Sequence, residues 1–225
     1  MCFNLAIGDE LLTEVQSQRF LGVFCDSSLN WNEQYDYVCK RLSSVLYLLR
    51  QYKTFAPQSI LMLIYFGLFQ THLTYCITVW GSSSLQNHDR ILRLQKSALR
   101  IITGGKRLTS CRALFKQLGV LTFPSIFIFY CILQTIKTPL LTEMPVKTHN
   151  YELRCKNDKQ FDMQLPHSRL KFVEKKPSVK GALFFNSLPI HLKQLKGKKF
   201  RTELYNFLIE STFYSVDEFR GKHSS

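Results

Sequence analysis

The chain has 225 residues, 45% of them hydrophobic, including 18 Phe and 10 Tyr, and its 30 Lys and Arg against 16 Asp and Glu give a formal charge of +14. That length and apolar content support a real core in one large domain or two small ones and argue against a wholly disordered chain. Seven scattered Cys, odd in number and never spaced Cys-x-x-Cys, argue against a disulfide framework and against a zinc module, and point to reduced thiols inside a cell.

The first 25 residues read as three short strands. Phe3, Leu5 and Ile7 alternate with Asn4 and Ala6, and Gly8-Asp9 has the composition of a turn. A second run covers Glu10 to Val15 and a third Arg19 to Cys25, giving a small meander that needs a partner layer. Asp9 and Glu10 so early, without a basic stretch before them, do not make a signal peptide. Asn30 with Glu33 is a variant capping box that opens a helix bearing Tyr35, Val38, Leu42, Val45, Leu46 and Leu49 on one face. Pro57 suits the first position of the next helix. Its run Ile60 to Phe69 is apolar nearly all round, about half the ~20 residues a membrane-spanning helix needs, so it is expected at the centre of the core.

Asn87 is the expected cap of a helix that Gly104-Gly105 ends. A short helix from Thr109 to Leu118, closed by Gly119, precedes one from Pro124 to about Lys137. From Thr138 to Pro177 periodicity is lost in a Lys-rich stretch broken by Pro139, Pro145, Pro166 and Pro177, expected to be a long loop or a separate lobe of low order. Helical pattern returns from Val179 to Asn186 and from Lys199 to Phe213, and no internal repeat is present.

Charge is segregated along the chain. Residues 1–89 carry five Lys and Arg against seven Asp and Glu, residues 90–136 eight against none, and residues 137–201 fifteen against five. A concentrated basic field of this kind attracts polyanions, nucleic acid above all. On the helix after Asn87, Arg90, Arg93, Lys96 and Arg100 fall within an arc of about 120°. Lys106 and Arg107 extend the row, and Ile91, Leu92, Leu94, Ala98, Leu99, Ile101 and Ile102 are assigned to the opposite side. A rigid row of cations can follow a phosphate backbone without reading bases. The plain alternative is a solvated amphipathic face; that no Asp or Glu falls within the row favours the nucleic-acid reading.

Lys171, Lys175, Lys176 and Lys180 beside Phe172 join charge to an aromatic. Such a segment suits single-stranded RNA, a nuclear localisation signal or a linker, and the residues do not choose among them. Asp9 and Glu10 invite comparison with metal-binding polymerase carboxylates, but that chemistry needs a further carboxylate from another strand, for which Asp26 is the only nearby candidate, and a turn is the stronger reading. His72 reads as a satisfied core histidine. His149, Cys155 and His167 have no zinc spacing. No catalytic residue, metal or cofactor is expected.

Several short signatures stand in a fixed order: Phe20-Leu21-Gly22-Val23, Asp26, Leu29-Asn30-Trp31, Tyr75, Val79-Trp80-Gly81, Leu94-Gln95-Lys96, Arg100-Ile101-Ile102-Thr103-Gly104, Asn186-Ser187-Leu188-Pro189 and Phe213-Tyr214-Ser215-Val216-Asp217-Glu218-Phe219. Over nearly the whole chain this order resembles the C-terminal part of reverse transcriptases of Jockey-like non-long-terminal-repeat retrotransposons. The resemblance implies a thumb and downstream region following the catalytic palm, whose Asp-Asp pair has no counterpart here. It also implies that Phe20, Leu21 and Gly22 correspond to the primer grip. From residue types alone, Phe20 and Leu21 would be core and Gly22 a bulge.

The expected fold is mainly α with a small β-meander at 1–29, a thumb-like helical bundle at 30–137 and a basic C-terminal lobe at 138–225. The expected function is that of a truncated or degenerate retrotransposon product. It would hold RNA or an RNA–DNA hybrid through the backbone, without polymerase activity of its own and without a membrane. The missing palm and endonuclease part of the parent polyprotein is a further partner that the resemblance implies. A host-recruited nucleic-acid-binding protein and a basic protein-interaction module are the rivals.

Overall fold

A computed structural model describes residues 6–7, 10–11, 15–105, 110–137, 161–163, 165 and 171–221, with backbone alone at 6–7, 10–11 and 171–172. The fold is mainly helical with a small antiparallel β part at its N-terminal end.

That β part is two hairpins rather than one meander. β1 (Ala6–Ile7) pairs with β2 (Glu10–Leu11), and β3 (Ser17–Phe20) pairs with β4 (Val23–Asp26) in a separate sheet. The run expected as one strand from Arg19 to Cys25 folds back on itself, with Phe20 opposite Val23. Leu21 and Gly22 between them have φ of 46° and 83°. Two consecutive positive φ values are what a two-residue hairpin turn of type I′ requires, and Gly22 accommodates the larger one at no steric cost. The expected turn at Gly8-Asp9 lies outside the described residues.

α1 (Asn32–Tyr52) is not opened by the Asn30–Glu33 box. Its N-cap is Trp31 in a left-handed conformation, without a side-chain cap. The orphan N–H groups before the helix go to Asp26 instead, whose carboxylate accepts from Ser28 N at 3.1 Å, Asn30 N at 2.9 Å and Trp31 N at 2.7 Å. Glu33 accepts from the Ser17 hydroxyl. Gln34 accepts from Phe24 N at 3.0 Å, so β4 is fastened to the first turn of α1.

α2 (Gln58–Ile64), with Pro57 as its N-cap, runs into a π-helical segment at Tyr65–Gln70 and then α3 (Thr71–Thr74). This rod is not the centre of the core. Leu61, Tyr65, Phe69 and Leu73 are buried at a spacing of four, while Ile60, Leu63, Phe66 and Leu68 face outward. His72 is half-buried, not a core residue. After a left-handed Cys76 (φ 50°), α4 (Ile77–Trp80) leads to α5 (Leu85–Thr103). Ser84, not Asn87, caps α5 by accepting from Asn87 N at 3.3 Å, and Gly104 ends it in the left-handed region.

α6 (Cys111–Gln117) is followed by α7 (Phe123–Lys137), which is the central helix: Phe123, Ile126, Phe127, Ile128, Phe129, Cys131 and Ile132 are all buried. α8 (Lys171–Glu174), α9 (Pro177–Asn186), α10 (Ile190–Lys193), α11 (Gly197–Ser211) and α12 (Val216–Gly221) complete the described chain. Phe184, Leu208, Phe213 and Phe219 belong to the same cluster as Tyr35, Trp80 and Phe127. α9 lies so close to α7 that a Cβ on Gly181 would meet Thr135 Oγ1 at 1.9 Å and Cys131 O at 2.4 Å. The Thr122 hydroxyl donates to Phe213 O at 2.5 Å and the Tyr205 hydroxyl to Gly119 O at 2.8 Å, holding the C-terminal helices to the loop between α6 and α7.

Candidate nucleic-acid interface

The row on α5 is built from the helix outward. Ile91, Leu92, Ala98, Leu99 and Ile102 face the core. Gln95, a polar residue in the same arc, is fully buried and joins three elements. Its Nε2 donates to Tyr65 Oη at 2.9 Å and Leu121 O at 2.8 Å, and its Oε1 accepts from Phe123 N at 2.8 Å. Leu94 and Ile101, assigned above to the core side, are half-buried on its flank. This fixes the rotation of α5 and with it the direction of the cations.

Those cations have unequal surroundings. The Arg90 guanidinium meets Asp36 of α1 at 2.5 Å and Asn87 Oδ1 at 3.3 Å, and the bond to Asp36 raises its pKa. Arg93 is exposed, and its Nε donates to Asp89 O at 3.2 Å. The Lys96 ammonium sits 3.8 Å from the centre of the Tyr214 ring, and partial burial lowers its pKa. Arg112 of α6 lies 4.4 Å from that ring's centre and pairs with Glu218 at 2.8 Å. Arg100 is half-buried. An acid missing from the row is therefore supplied from elsewhere in the chain: Asp36 stands 54 residues from Arg90, just as Glu218 stands 106 residues from Arg112 on the neighbouring α6. Lys106 and Arg107 lie outside the described residues, as do the side chains of Lys171 and Phe172.

Lys175 and Lys176 are exposed between α8 and α9, beside a cavity of about 250 Å³ lined by Leu29, Trp31, Val79, Ser82 and Pro177. The fold thus brings the Lys-rich segment to the loop that Asp26 organises. Lys180 is half-buried on α9. A further cationic group lies outside the residues singled out from the sequence. Lys196, Lys198, Lys199 and Arg201 open α11, all exposed, with no acid in the first turn, no side-chain cap, and no described carboxylate in ion-pair reach. The signal was present as Lys196-Gly197-Lys198-Lys199, which the expected helix start at Lys199 divided.

Phe20, Leu21 and Gly22 form the tip of the β3–β4 hairpin rather than core. Phe20 and Leu21 are 67% and 75% exposed. The tip is held from outside: the Tyr75 hydroxyl donates to Leu21 O at 2.6 Å, and the Trp80 indole N–H donates to Tyr75 O at 2.7 Å. Around Asp26 burial pulls the carboxyl pKa up, but the hydrogen bonds from Asn30, Trp31 and Ser28 outweigh it and leave the group below its usual range. Its oxygens are committed to the backbone. Among the described residues no group of three or more His, Cys, Asp or Glu could hold a metal ion, and no described helix is long and apolar enough to cross a membrane.

No protein-family model, curated protein or solved structure matches this chain.

Proposed function

We propose that this chain grips nucleic acid through its phosphate backbone, in the manner of a reverse-transcriptase thumb, and has no polymerase chemistry of its own. The observation that carries this is the disposition of the surplus cations. Arg93, Lys175, Lys176, Lys196, Lys198, Lys199 and Arg201 all stand on the surface without a described carboxylate in ion-pair reach. They decorate an ordered helical scaffold, which suits contacts that position a polyanion and read no bases.

Further support comes from the signatures themselves, which meet one another in space. Tyr75 holds Leu21, Trp80 holds Tyr75, and Asp26 holds Trp31. A hairpin tip so fixed, apolar and exposed, is suited to a primer-grip role. Asp26, the candidate weighed for a site with Asp9 and Glu10, accepts from the backbone N–H groups of Asn30 and Trp31. The palm and endonuclease part of a parent polyprotein is the protein partner this function calls for. The site of action would be intracellular, cytoplasmic or nuclear, in keeping with free thiols at Cys25, Cys39, Cys76, Cys111 and Cys131.

Fluorescence anisotropy with single-stranded RNAs of unrelated sequence and with an RNA–DNA hybrid tests this. Similar affinities that fall steeply with salt are expected, with polyglutamate a poor competitor. Polyglutamate binding as tightly as RNA would favour a protein-interaction module instead. In primer extension with magnesium or manganese no incorporation is expected; template-dependent incorporation lost on Asp9→Ala would overturn the second half of the proposal.

A further inference from the structure

A groove of about 330 Å³ lies between the α3–α4 junction and the outer face of α7, away from the residues of the α5 row. Its chemistry is mixed in an informative way. Thr74, Cys76 and Thr78 line one wall, Tyr130 and Lys137 the other, and Arg201 reaches it from α11. Two cations from different helices converge on one concavity, and no described carboxylate lines it. Like charges brought together without a counter-ion raise the energy of the fold, and an entering anion removes that cost. Tyr130 packs edge-on against Phe129, with ring centres 5.6 Å apart at 88°, and keeps part of its surface in the groove. The opposite wall is shaped by Cys76, whose left-handed backbone at φ 50° separates α3 from α4. A non-glycine residue at such a φ is locally strained and persists where its surroundings enforce it.

A pocket for an inorganic anion alone would not need an aromatic wall, and an apolar ligand would not need two cations. We infer that this groove seats one nucleotide unit of a single-stranded nucleic acid, its phosphate between Lys137 and Arg201 and its base against Tyr130. This rests on the nucleic-acid reading above and adds a second kind of contact to it. The exposed cations follow the backbone, whereas this groove takes up an unpaired nucleotide. Aromatic stacking beside paired cations is the general means of binding single strands with little sequence preference.

Cys76 offers a reporter inside the groove, because its thiol is exposed. The rate of its alkylation by N-ethylmaleimide, read by peptide mass spectrometry, is measured with a single-stranded oligonucleotide, with uridine 3′,5′-bisphosphate, with polyglutamate, and with inorganic phosphate. The oligonucleotide and the bisphosphate are expected to slow Cys76 alkylation at least about fivefold while Cys25 and Cys39 react as before. Lys137→Gln with Arg201→Gln should abolish the protection at unchanged melting temperature, and Tyr130→Ala should weaken it where Tyr130→Phe does not. Oligonucleotide binding with unaltered Cys76 reactivity overturns the groove and leaves the proposed function standing. Failure of every RNA to bind, with protection by the bisphosphate retained, overturns the proposed function and keeps the groove. Equal protection by inorganic phosphate or polyglutamate overturns the nucleotide assignment.

Discussion

Along α5, cations share a helix face with groups from elsewhere in the fold: Arg90 is tied to Asp36, and Lys96 rests on the ring that Arg112 also covers. At the head of α11, Lys196, Lys198 and Lys199 have no described partner of this kind and stand at the positive end of a 15-residue helix. The first set helps hold the tertiary structure. The second opposes its own helix, since cations near a helix N-terminus each cost about 0.3–1 kcal/mol. Segregated charge in a sequence therefore contains two populations. Charge that the fold itself does not use is the better mark of an outside partner.

The largest effect expected inside the protein follows from removing the first population. Replacing Arg90, Arg93, Lys96 and Arg100 by Gln should lower stability by about 1–2 kcal/mol, the sum of a half-exposed ion pair and a cation–π contact. Urea unfolding measures this. Unchanged stability would mean that the α5 cations are as uncommitted as those of α11. The same variant should lose about one phosphate contact in the salt dependence of RNA binding, roughly 0.7, because of the four only Arg93 is exposed without a described carboxylate in reach.

A comparable loss is expected at the hairpin base. Asp26→Ala removes the acceptor of three backbone N–H groups and should cost about 1–2 kcal/mol. The folded pKa of Asp26 lies below its usual value, so this stabilisation is fully present above about pH 4 and is lost as pH falls through the lower, folded pKa. Acid titration of stability in wild type and variant should converge below that window; parallel curves down to low pH would contradict the capping role.

Much of this layout is legible in the residues. Gly104 and Gly119 mark helix ends, and the α7 sequence announces a buried helix through its unbroken apolar run. The expectation that failed concerns Ile60 to Phe69, equally apolar but half solvent-facing. Composition tells how much surface a helix could bury, not whether neighbours exist to cover it. Here the buried set is Leu61, Tyr65, Phe69 and Leu73, with a π-helical turn among them. The caps were missed for a related reason. Asp26 acts on N–H groups up to five residues ahead through a tight turn that no local pattern encodes. The positive φ of Leu21 has no signature in its side chain. On α5 the spacing of the cations is readable, but Asp36, which pairs with Arg90, and the Tyr214 ring under Lys96 are close only once the chain is folded.

Smaller effects sharpen the contrast. Lys198→Glu should stabilise the protein by about 0.3–1 kcal/mol, because it places an acid in the first turn of α11. Thermal melting can detect this, and destabilisation would show that Lys198 has a structural partner after all. Tyr75→Phe should cost about 0.5–1.5 kcal/mol by freeing Leu21 O, with faster hydrogen exchange confined to the β3–β4 hairpin. Uniform exchange across the protein would separate Tyr75 from the hairpin tip.

The most direct measurement is a salt titration of single-stranded RNA binding for wild type and for the Lys196→Gln, Lys198→Gln, Lys199→Gln variant side by side. If these lysines hold phosphates, the slope of log K against log salt should shrink by about 2 units at undiminished thermal stability. Equal slopes and equal affinities in the two proteins would contradict a phosphate-gripping role for the cations that the fold leaves unused.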